Sequence, residues 1–76
     1  MDQQNRRSGP DLWIAQIFSA QAARDGGIVR RNVRWVDREI GRARFEQEVR
    51  ARGFRLIQCG PQFVVICNAA PIRLIC

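Results

Sequence analysis

Short apolar runs with a two-residue period dominate the C-terminal third of the chain. From Phe54 to Cys76 the sequence contains three such runs, FRLIQCG, QFVVIC and IRLIC, and turn-forming residues separate them. Alternation over five or six residues, bounded by Gly, Pro or Asn, is typical of β-strands. The pattern therefore predicts a three-stranded antiparallel β-meander over residues 54–76.

Both faces of the predicted sheet carry large apolar side chains. With a turn at Pro61 and Gln62, Cys59 pairs with Val64, and alternation then fixes the two faces. One face holds Phe54, Leu56, Phe63, Val65 and Cys67, the other holds Arg55, Ile57, Cys59, Val64 and Ile66, and the third strand adds Ile72, Leu74 and Cys76 to one side and Arg73 and Ile75 to the opposite side. A chain of 76 residues has little with which to cover two such faces.

The N-terminal half has the three-to-four-residue apolar spacing of helices. Residues 1–7 are polar and predicted to be flexible, and Ser8 is the predicted cap of a first helix that runs through DLWIAQIFSAQAARD to Gly26. Its first turns are apolar around much of the circumference, at Leu12, Trp13, Ile14, Ile17 and Phe18. A helix of this kind is buried on more than one side.

Two further helices are predicted before the sheet. Asn32 is the predicted cap of the second, whose apolar stripe is Val33, Val36 and Ile40 and whose end is Gly41. The third, RARFEQEVRAR, buries Phe45 and Val49, ends at Gly53, and places Glu46 four residues before Arg50 and Glu48 four residues before Arg52. We therefore expect one α+β domain, with a helical part over residues 8–53 and a β-meander over 54–76. The third helix is expected to cover one sheet face, and the first helix or a second copy the other.

The charge of the chain is strongly positive. All 13 basic residues are arginines, and the net charge is +6. Guanidinium groups pair with phosphate or carboxylate and stack on flat rings, although codon usage in a GC-rich genome would also replace lysine by arginine. Six arginines cluster within fifteen residues around Trp35, at Arg30, Arg31, Arg34, Arg38, Arg42 and Arg44.

The common forms of catalysis and metal binding lack their residues. There is no His, Tyr, Thr or Lys, so most general bases and activated nucleophiles are missing. The three cysteines, Cys59, Cys67 and Cys76, stand too far apart for a zinc site and are expected to be buried free thiols. We expect no enzyme activity, cofactor, metal or small-molecule substrate. A DNA-reading helix-turn-helix is disfavoured because Arg42 follows Gly41 where that motif needs an apolar residue.

No targeting or membrane-spanning segment is evident in the sequence. The first ten residues, MDQQNRRSGP, are polar, unlike a signal peptide. No apolar run approaches the roughly 20 residues that span a bilayer. We therefore expect a cytoplasmic location.

Two resemblances are found, one over about a third of the chain in its C-terminal half and one across Leu12 to Cys76. The segment FEQEVRARGFRLIQCGPQFVVICN is similar to the core of HicA-type RNA-cleaving toxins and double-stranded-RNA-binding domains, which implies a helix packed on a three-stranded sheet. HicA-like toxins carry a catalytic His near the position of Gln62 and Phe63, and this chain has none. The segments GGIVRR and RGFRLIQCGPQFVVICN also resemble small uncharacterised alphaproteobacterial proteins, some labelled phosphoribosylanthranilate isomerase. That label implies a (β/α)₈ barrel of about 250 residues, which 76 residues cannot form.

Two functional hypotheses remain from the sequence. The first is a small regulatory module that binds RNA or DNA through Arg30, Arg31, Arg34, Trp35, Arg38, Arg42 and Arg44. The second is an accessory subunit, or a homodimer, that docks an apolar surface containing Trp13, Ile17, Phe18, Ile57, Val64 and Ile66. The charge cluster motivates the first hypothesis, and the excess of apolar surface motivates the second.

Overall fold

A computed structural model describes residues 9–76 of the chain. The described residues form four helices and three strands: α1 (Gly9–Phe18), α2 (Gln21–Arg24), β1 (Ile28–Asn32), α3 (Val33–Glu39), α4 (Arg42–Ala51), β2 (Arg55–Cys59) and β3 (Gln62–Ile66). This α+β arrangement with a three-stranded antiparallel sheet confirms the predicted fold class. The predictions for residues 1–7 and for the Ser8 cap lie outside the described residues.

The predicted first helix is two helices. Between α1 and α2, Ala20 has extended backbone angles, with φ −64° and ψ 155°. α2 then ends before Gly26, which adopts a φ of 75°. A positive φ favours glycine, so the chain reverses there as the sequence indicates.

The second and third predicted helices, α3 and α4, have the expected ends. The Asn32 side chain accepts a hydrogen bond of 3.1 Å from the Trp35 backbone N–H, which caps α3. Gly41 separates α3 from α4 with a φ of 95°, and Gly53 follows α4 with a φ of 73°. These two left-handed positions turn the chain from α3 into α4 and from α4 into β2.

The third strand of the sheet is not the one predicted. The strand order is β1-β3-β2, with β3 antiparallel to both neighbours, so IVRRN supplies the third strand. The prediction of a strand in IRLIC, and with it of a meander ending at residue 76, is wrong, because residues 67–76 contain no strand. After β1 the chain forms α3 and α4 and then returns to the sheet as β2 and β3. In the sheet, β3 lies between β1 and β2.

The predicted register is shifted by two residues, whereas the predicted faces are confirmed. Cys59 pairs with Gln62 and Ile57 with Val64, so the turn consists of Gly60 and Pro61. Because side chains alternate with a period of two, a shift of two leaves every side chain on its predicted face. The side chains of Val65 and Phe63 are accordingly buried.

All four helices contribute to one core on one side of the sheet. Its buried residues are Ile14, Ile17, Ala23, Val29, Val33, Val36, Ile40, Phe45, Val49, Phe63, Val65 and Cys67. Phe45 lies at its centre, with ring centroids 5.7 Å from Phe63 and 6.3 Å from Phe18. The expectation that the first helix covers the second sheet face is therefore wrong, because Ile14 and Ile17 of α1 lie in the same core as Phe45 of α4.

Candidate interaction surfaces

No helix formed by residues 9–76 packs on the second face of the sheet. We call it the open face, and the pairing of the three strands arranges its side chains in three rows: Ile28, Ile66 and Arg55; Arg30, Val64 and Ile57; Asn32, Gln62 and Cys59. None of its aliphatic residues belongs to the core. Ile28 is 58% exposed and Ile57 is 38% exposed. Four aliphatic side chains therefore form a contiguous surface that α1, α2, α3 and α4 leave uncovered.

The open face carries positive charge only. Arg30 lies on its β1 edge and Arg55 on its β2 edge, and none of the nine residues is acidic or aromatic. The Arg55 guanidinium donates hydrogen bonds to the backbone oxygens of Ala69, at 2.9 Å, and Ala70, at 3.4 Å. Every carboxylate within residues 9–76 lies on or beside a helix rather than on a strand. The apolar patch therefore lies between two guanidinium groups that have no carboxylate on their own face.

Half of the predicted arginine cluster is engaged in ion pairs. Arg42 donates to both carboxylate oxygens of Asp37, at 3.0 and 3.2 Å. Arg44 donates to Asp11 at 2.9 Å and to Glu48 at 2.8 Å. The remaining pair joins Arg38 to Glu39 at 2.9 Å. These contacts orient three guanidinium groups toward carboxylates of the chain itself and reduce the local positive charge.

The other half of the cluster has no carboxylate partner within residues 9–76. Arg30, Arg31 and Arg34 make no ion pair there, and one Arg31 nitrogen donates to the Arg30 carbonyl at 2.7 Å. Arg30 and Arg31 line a depression of about 390 Å³ together with Asn32, Pro61 and Gln62. The Val33 backbone N–H donates to the Pro61 carbonyl at 2.8 Å, which fixes the start of α3 beside the β2–β3 turn. This depression adjoins the open face through Arg30.

Four residues that the sequence predicted to contact a partner instead pack against other elements of the domain. Trp35 is half-buried and meets Trp13 edge to face, with ring centroids 5.0 Å apart. Ile17 is almost completely buried, and Phe18 packs against Phe45 and Phe54. The predicted sites at Trp13, Ile17, Phe18 and Trp35 thus coincide with contacts between the chain's own elements. Ile57, Val64 and Ile66 are the members of the predicted protein interface that lie on the open face.

Sequence reasoning did not place Ile28 and Arg55 in a site. Ile28 extends the aliphatic patch across β1, and Arg55 provides its second charge. The signal for Ile28 is the alternation in IVRRN, where Val29 points into the core and Ile28 and Arg30 point the other way. Only the pairing of β1 with β3 makes that alternation part of the same face.

A second concavity lies along the free edge of β2. This edge groove has a volume of about 690 Å³ and runs between α4 and β2, where Glu46, Val49 and Arg50 face Phe54, Leu56 and Gln58. Ala69 and Ile72 line the same groove. The predicted ion pair between Glu46 and Arg50 does not form, whereas Glu48 and Arg52 pair at 2.7 Å as predicted. The groove is thus bordered by a carboxylate, a guanidinium and an unpaired strand edge.

The chain beyond β3 carries apolar side chains into solvent. Cys67 is buried and its backbone N–H donates to the Gly27 carbonyl, after which the Asn68 amide donates to the Gly26 carbonyl at 3.1 Å. Leu74 is 88% exposed and Ile75 is 81% exposed. Residues 71–76, the exposed segment, therefore leave the domain: Ile72 still borders the edge groove, and the side chains of Leu74 and Ile75 lie in solvent.

The cysteines differ in environment. Cys67 is buried as predicted, and this burial raises the pKa of its thiol. The prediction of burial is wrong for Cys59, which lies on the open face, and for Cys76, which lies in the exposed segment. Within residues 9–76 no group of three or more Cys, Asp or Glu side chains is arranged to hold a metal ion.

Comparison with known proteins finds no match. No protein-family model fits the chain, and no curated protein or solved structure is significantly similar to it. Among the described residues, no helix has the length and apolar character needed to cross a membrane.

Proposed function

We propose that the chain is a protein-interaction module whose open face binds an acidic amphipathic helix of a partner protein. The observation that carries the proposal is the uncovered aliphatic patch of Ile28, Ile57, Val64 and Ile66 between Arg30 and Arg55. Apolar side chains gathered on one face of a sheet are stabilised when another layer of secondary structure covers them. A partner that covers this patch gains apolar burial and meets two guanidinium groups at its rim.

The dimensions of the open face fit one helix. Three strands about 4.8 Å apart and five residues long form a surface roughly 14 Å wide and 17 Å long. A helix is about 10–12 Å in diameter and rises 1.5 Å per residue, so about 12 residues cover this length. The opposite face is already covered by helices in this way, because α4 places Phe45 against Phe63 of β3.

The charges favour a partner with flanking carboxylates. Arg30 and Arg55 stand on opposite edges of the patch, so Asp or Glu on both sides of an apolar stripe would meet them. A second copy placed face to face would bring two more arginines and no carboxylate, since the acids within residues 9–76 lie on or beside helices. RNA that binds across a sheet stacks its bases on aromatic side chains, and the open face has none.

The test is a titration with a synthetic helix of 14 residues that carries a Leu and Ile stripe flanked by Glu. Fluorescence anisotropy should show saturable binding to the wild-type chain. Binding should weaken when salt is raised or when Lys replaces the flanking Glu. The variant Ile28→Glu should bind at least about tenfold more weakly, because burial of one isoleucine contributes roughly 1.5–3 kcal/mol.

The control is Leu12→Glu, the same change in charge at a side chain of α1 that is 54% exposed, close to the exposure of Ile28. We expect this variant to bind like wild type. Three results would reject the proposal: equal binding of the Glu-flanked and Lys-flanked helices, equal losses in both variants, or no binding of the acidic helix at low salt.

A second candidate function is nucleic-acid binding at the three clustered arginines that have no carboxylate partner within the described residues. Arg30, Arg31 and Arg34 could contact neighbouring phosphates beside the depression next to the β2–β3 turn. These three arginines form no ion pair with a carboxylate of residues 9–76, and this favours the candidate. The pairs formed by Arg38, Arg42 and Arg44 reduce the number of phosphates that the cluster could neutralise.

Mobility-shift titrations at several salt concentrations test this second candidate. The double variant Arg31→Gln, Arg34→Gln should weaken binding and reduce the slope of log K against log salt by about two. A matched control is the double variant Arg24→Gln, Arg50→Gln, which removes the same charge from two other arginines that form no ion pair among residues 9–76. Equal effects of the two double variants would reject a localised site.

A further inference from the structure

Within residues 9–76, one edge of the sheet and one strand-like sequence both lack a pairing partner. β2 is an edge strand, and the edge groove runs along it beneath α4. The exposed segment contains IRLIC, which alternates like a strand, yet it pairs with no strand of the described part of the chain and leaves Leu74 and Ile75 in solvent. Free edges of this kind are templates for added strands.

We propose that two copies of the chain exchange residues 72–76, so that each copy adds a fourth strand to the β2 edge of the other. The lengths agree, since β2 has five residues and so does the inserted segment. Alternation would direct Ile72, Leu74 and Cys76 into the edge groove against Val49 and Leu56. Arg73 and Ile75 would then lie beside Ile57 on the opposite side.

Strand direction favours a second copy over the chain's own segment. β3 ends opposite Arg55, where β2 begins. The chain's own residues 72–76 would therefore run along β2 in the same direction and form a parallel pair. A segment from another copy is free to run antiparallel, which is the slightly more stable pairing per residue. Ile72 borders its own groove at this end, and the side chains beyond it are exposed.

The area available is sufficient for a dimer. Reciprocal exchange buries four surfaces, two segments and two grooves, so each must supply about 300 Å² to reach the roughly 1,200 Å² of a small specific interface. A five-residue strand is about 17 Å long. Its backbone edge and three inward side chains supply an area of that order. The same exchange would bury Leu74, the most exposed large apolar side chain within residues 9–76.

The experiment is sedimentation velocity of the full chain in reducing buffer, at concentrations up to about 1 mM. Reduction removes any contribution from disulfides at Cys59 and Cys76. The wild type should move toward twice its mass of 8.8 kDa as concentration rises. Leu74→Asp should weaken dimerisation at least about tenfold, whereas Arg73→Gln, which lowers the net charge by the same amount, should dimerise like wild type.

Hydrogen exchange locates the contact. Protection of amides in β2 and in residues 72–76 should increase with concentration, and that in β1 should not. A chain that stays monomeric over this range would overturn the proposal. So would a dimer that Leu74→Asp leaves intact and Ile28→Glu abolishes, because that dimer would form through the open face. Protection of residues 72–76 in the monomer, independent of concentration, would show pairing within one chain and would also overturn it.

Discussion

Two adjacent valines on the central strand provide a direct test of the one-sided core. Val65 is fully buried and faces the helices, whereas Val64 is half-buried and belongs to the open face. Both lie within β3 and both pair with β1 and β2. Because both residues lie in the same strand, Val→Ala lowers the intrinsic preference for strand structure equally at the two positions. The difference between Val65→Ala and Val64→Ala therefore reports the covering of the two faces.

The structure sets the expected size of that difference. Val→Ala removes the equivalent of two methylene groups, and each contributes about 0.8 kcal/mol when buried. At Val65 the cavity left in the core adds to this, so we expect a loss of roughly 2–3 kcal/mol. At Val64 the removed atoms are only half-buried and leave no enclosed cavity, so we expect a loss below about 1 kcal/mol.

Urea unfolding followed by tryptophan fluorescence measures both losses. For a protein of this size the slope is about 1 kcal/mol per molar urea, so Val65→Ala should lower the midpoint by roughly 2–3 M. Val64→Ala should lower it by less than about 1 M. The measurement belongs at low micromolar concentration, where self-association contributes little. Equal losses in the two variants would refute a core on one side of the sheet.

Three other changes have expected outcomes. Asn32→Ala removes the cap of α3 and should cost about 1 kcal/mol in the free energy of unfolding, measured by thermal melting. Gly41→Ala should lower the free energy of unfolding by roughly 1–2 kcal/mol, because Gly41 has a φ of 95° that strains any other residue. The added methyl group itself meets nothing within 4 Å. The control is Gly9→Ala, where the methyl group has equal space and φ is not positive, and we expect no loss of stability there. Hydrogen bonds from Arg52, the larger effect, and from Arg44 lower the pKa of Glu48 below 4.5. The ionised Glu48 therefore stabilises the folded chain fully above pH 4.5, and this contribution is lost as the pH falls through the folded-state pKa. Glu48→Gln should therefore cost up to about 1 kcal/mol at pH 7 and nothing in strong acid, and a constant cost across that range would contradict the ion pairs.

Local sequence signals predicted the boundaries of several elements. Asn32 caps α3, and Gly26, Gly41 and Gly53 occupy positive-φ positions after helices, as their residue types indicate. The interruption between α1 and α2 was not predicted, because no Gly or Pro marks Ser19 and Ala20. The residues on each sheet face were predicted correctly although the register was not, because a shift of two residues leaves each side chain on the same face.

The identity of the third strand depends on tertiary pairing, which local pattern does not determine. IRLIC is more apolar than IVRRN, so pattern alone favoured it as a strand. β1 forms because the hydrogen bond from the Cys67 N–H to the Gly27 carbonyl and the pairing of Val29 with Val65 hold it against β3. The composition of the open face depends on the pairing of β1 with β3, because Ile28 and Arg30 join that face only through β1. Which arginines lack ion pairs likewise depends on contacts such as Arg44 with Asp11, 33 residues apart.

The central claim is that the open face is the surface at which a partner protein docks. Methyl NMR of the chain, recorded during titration with the Glu-flanked helix, tests it most directly because Ile and Val methyl groups report on each face separately. We predict that the methyl signals of Ile28, Ile57, Val64 and Ile66 shift together and saturate, while those of Val65 in the core change little. Shifts confined to methyl groups of the helical layer, or no saturable shifts, would contradict the claim.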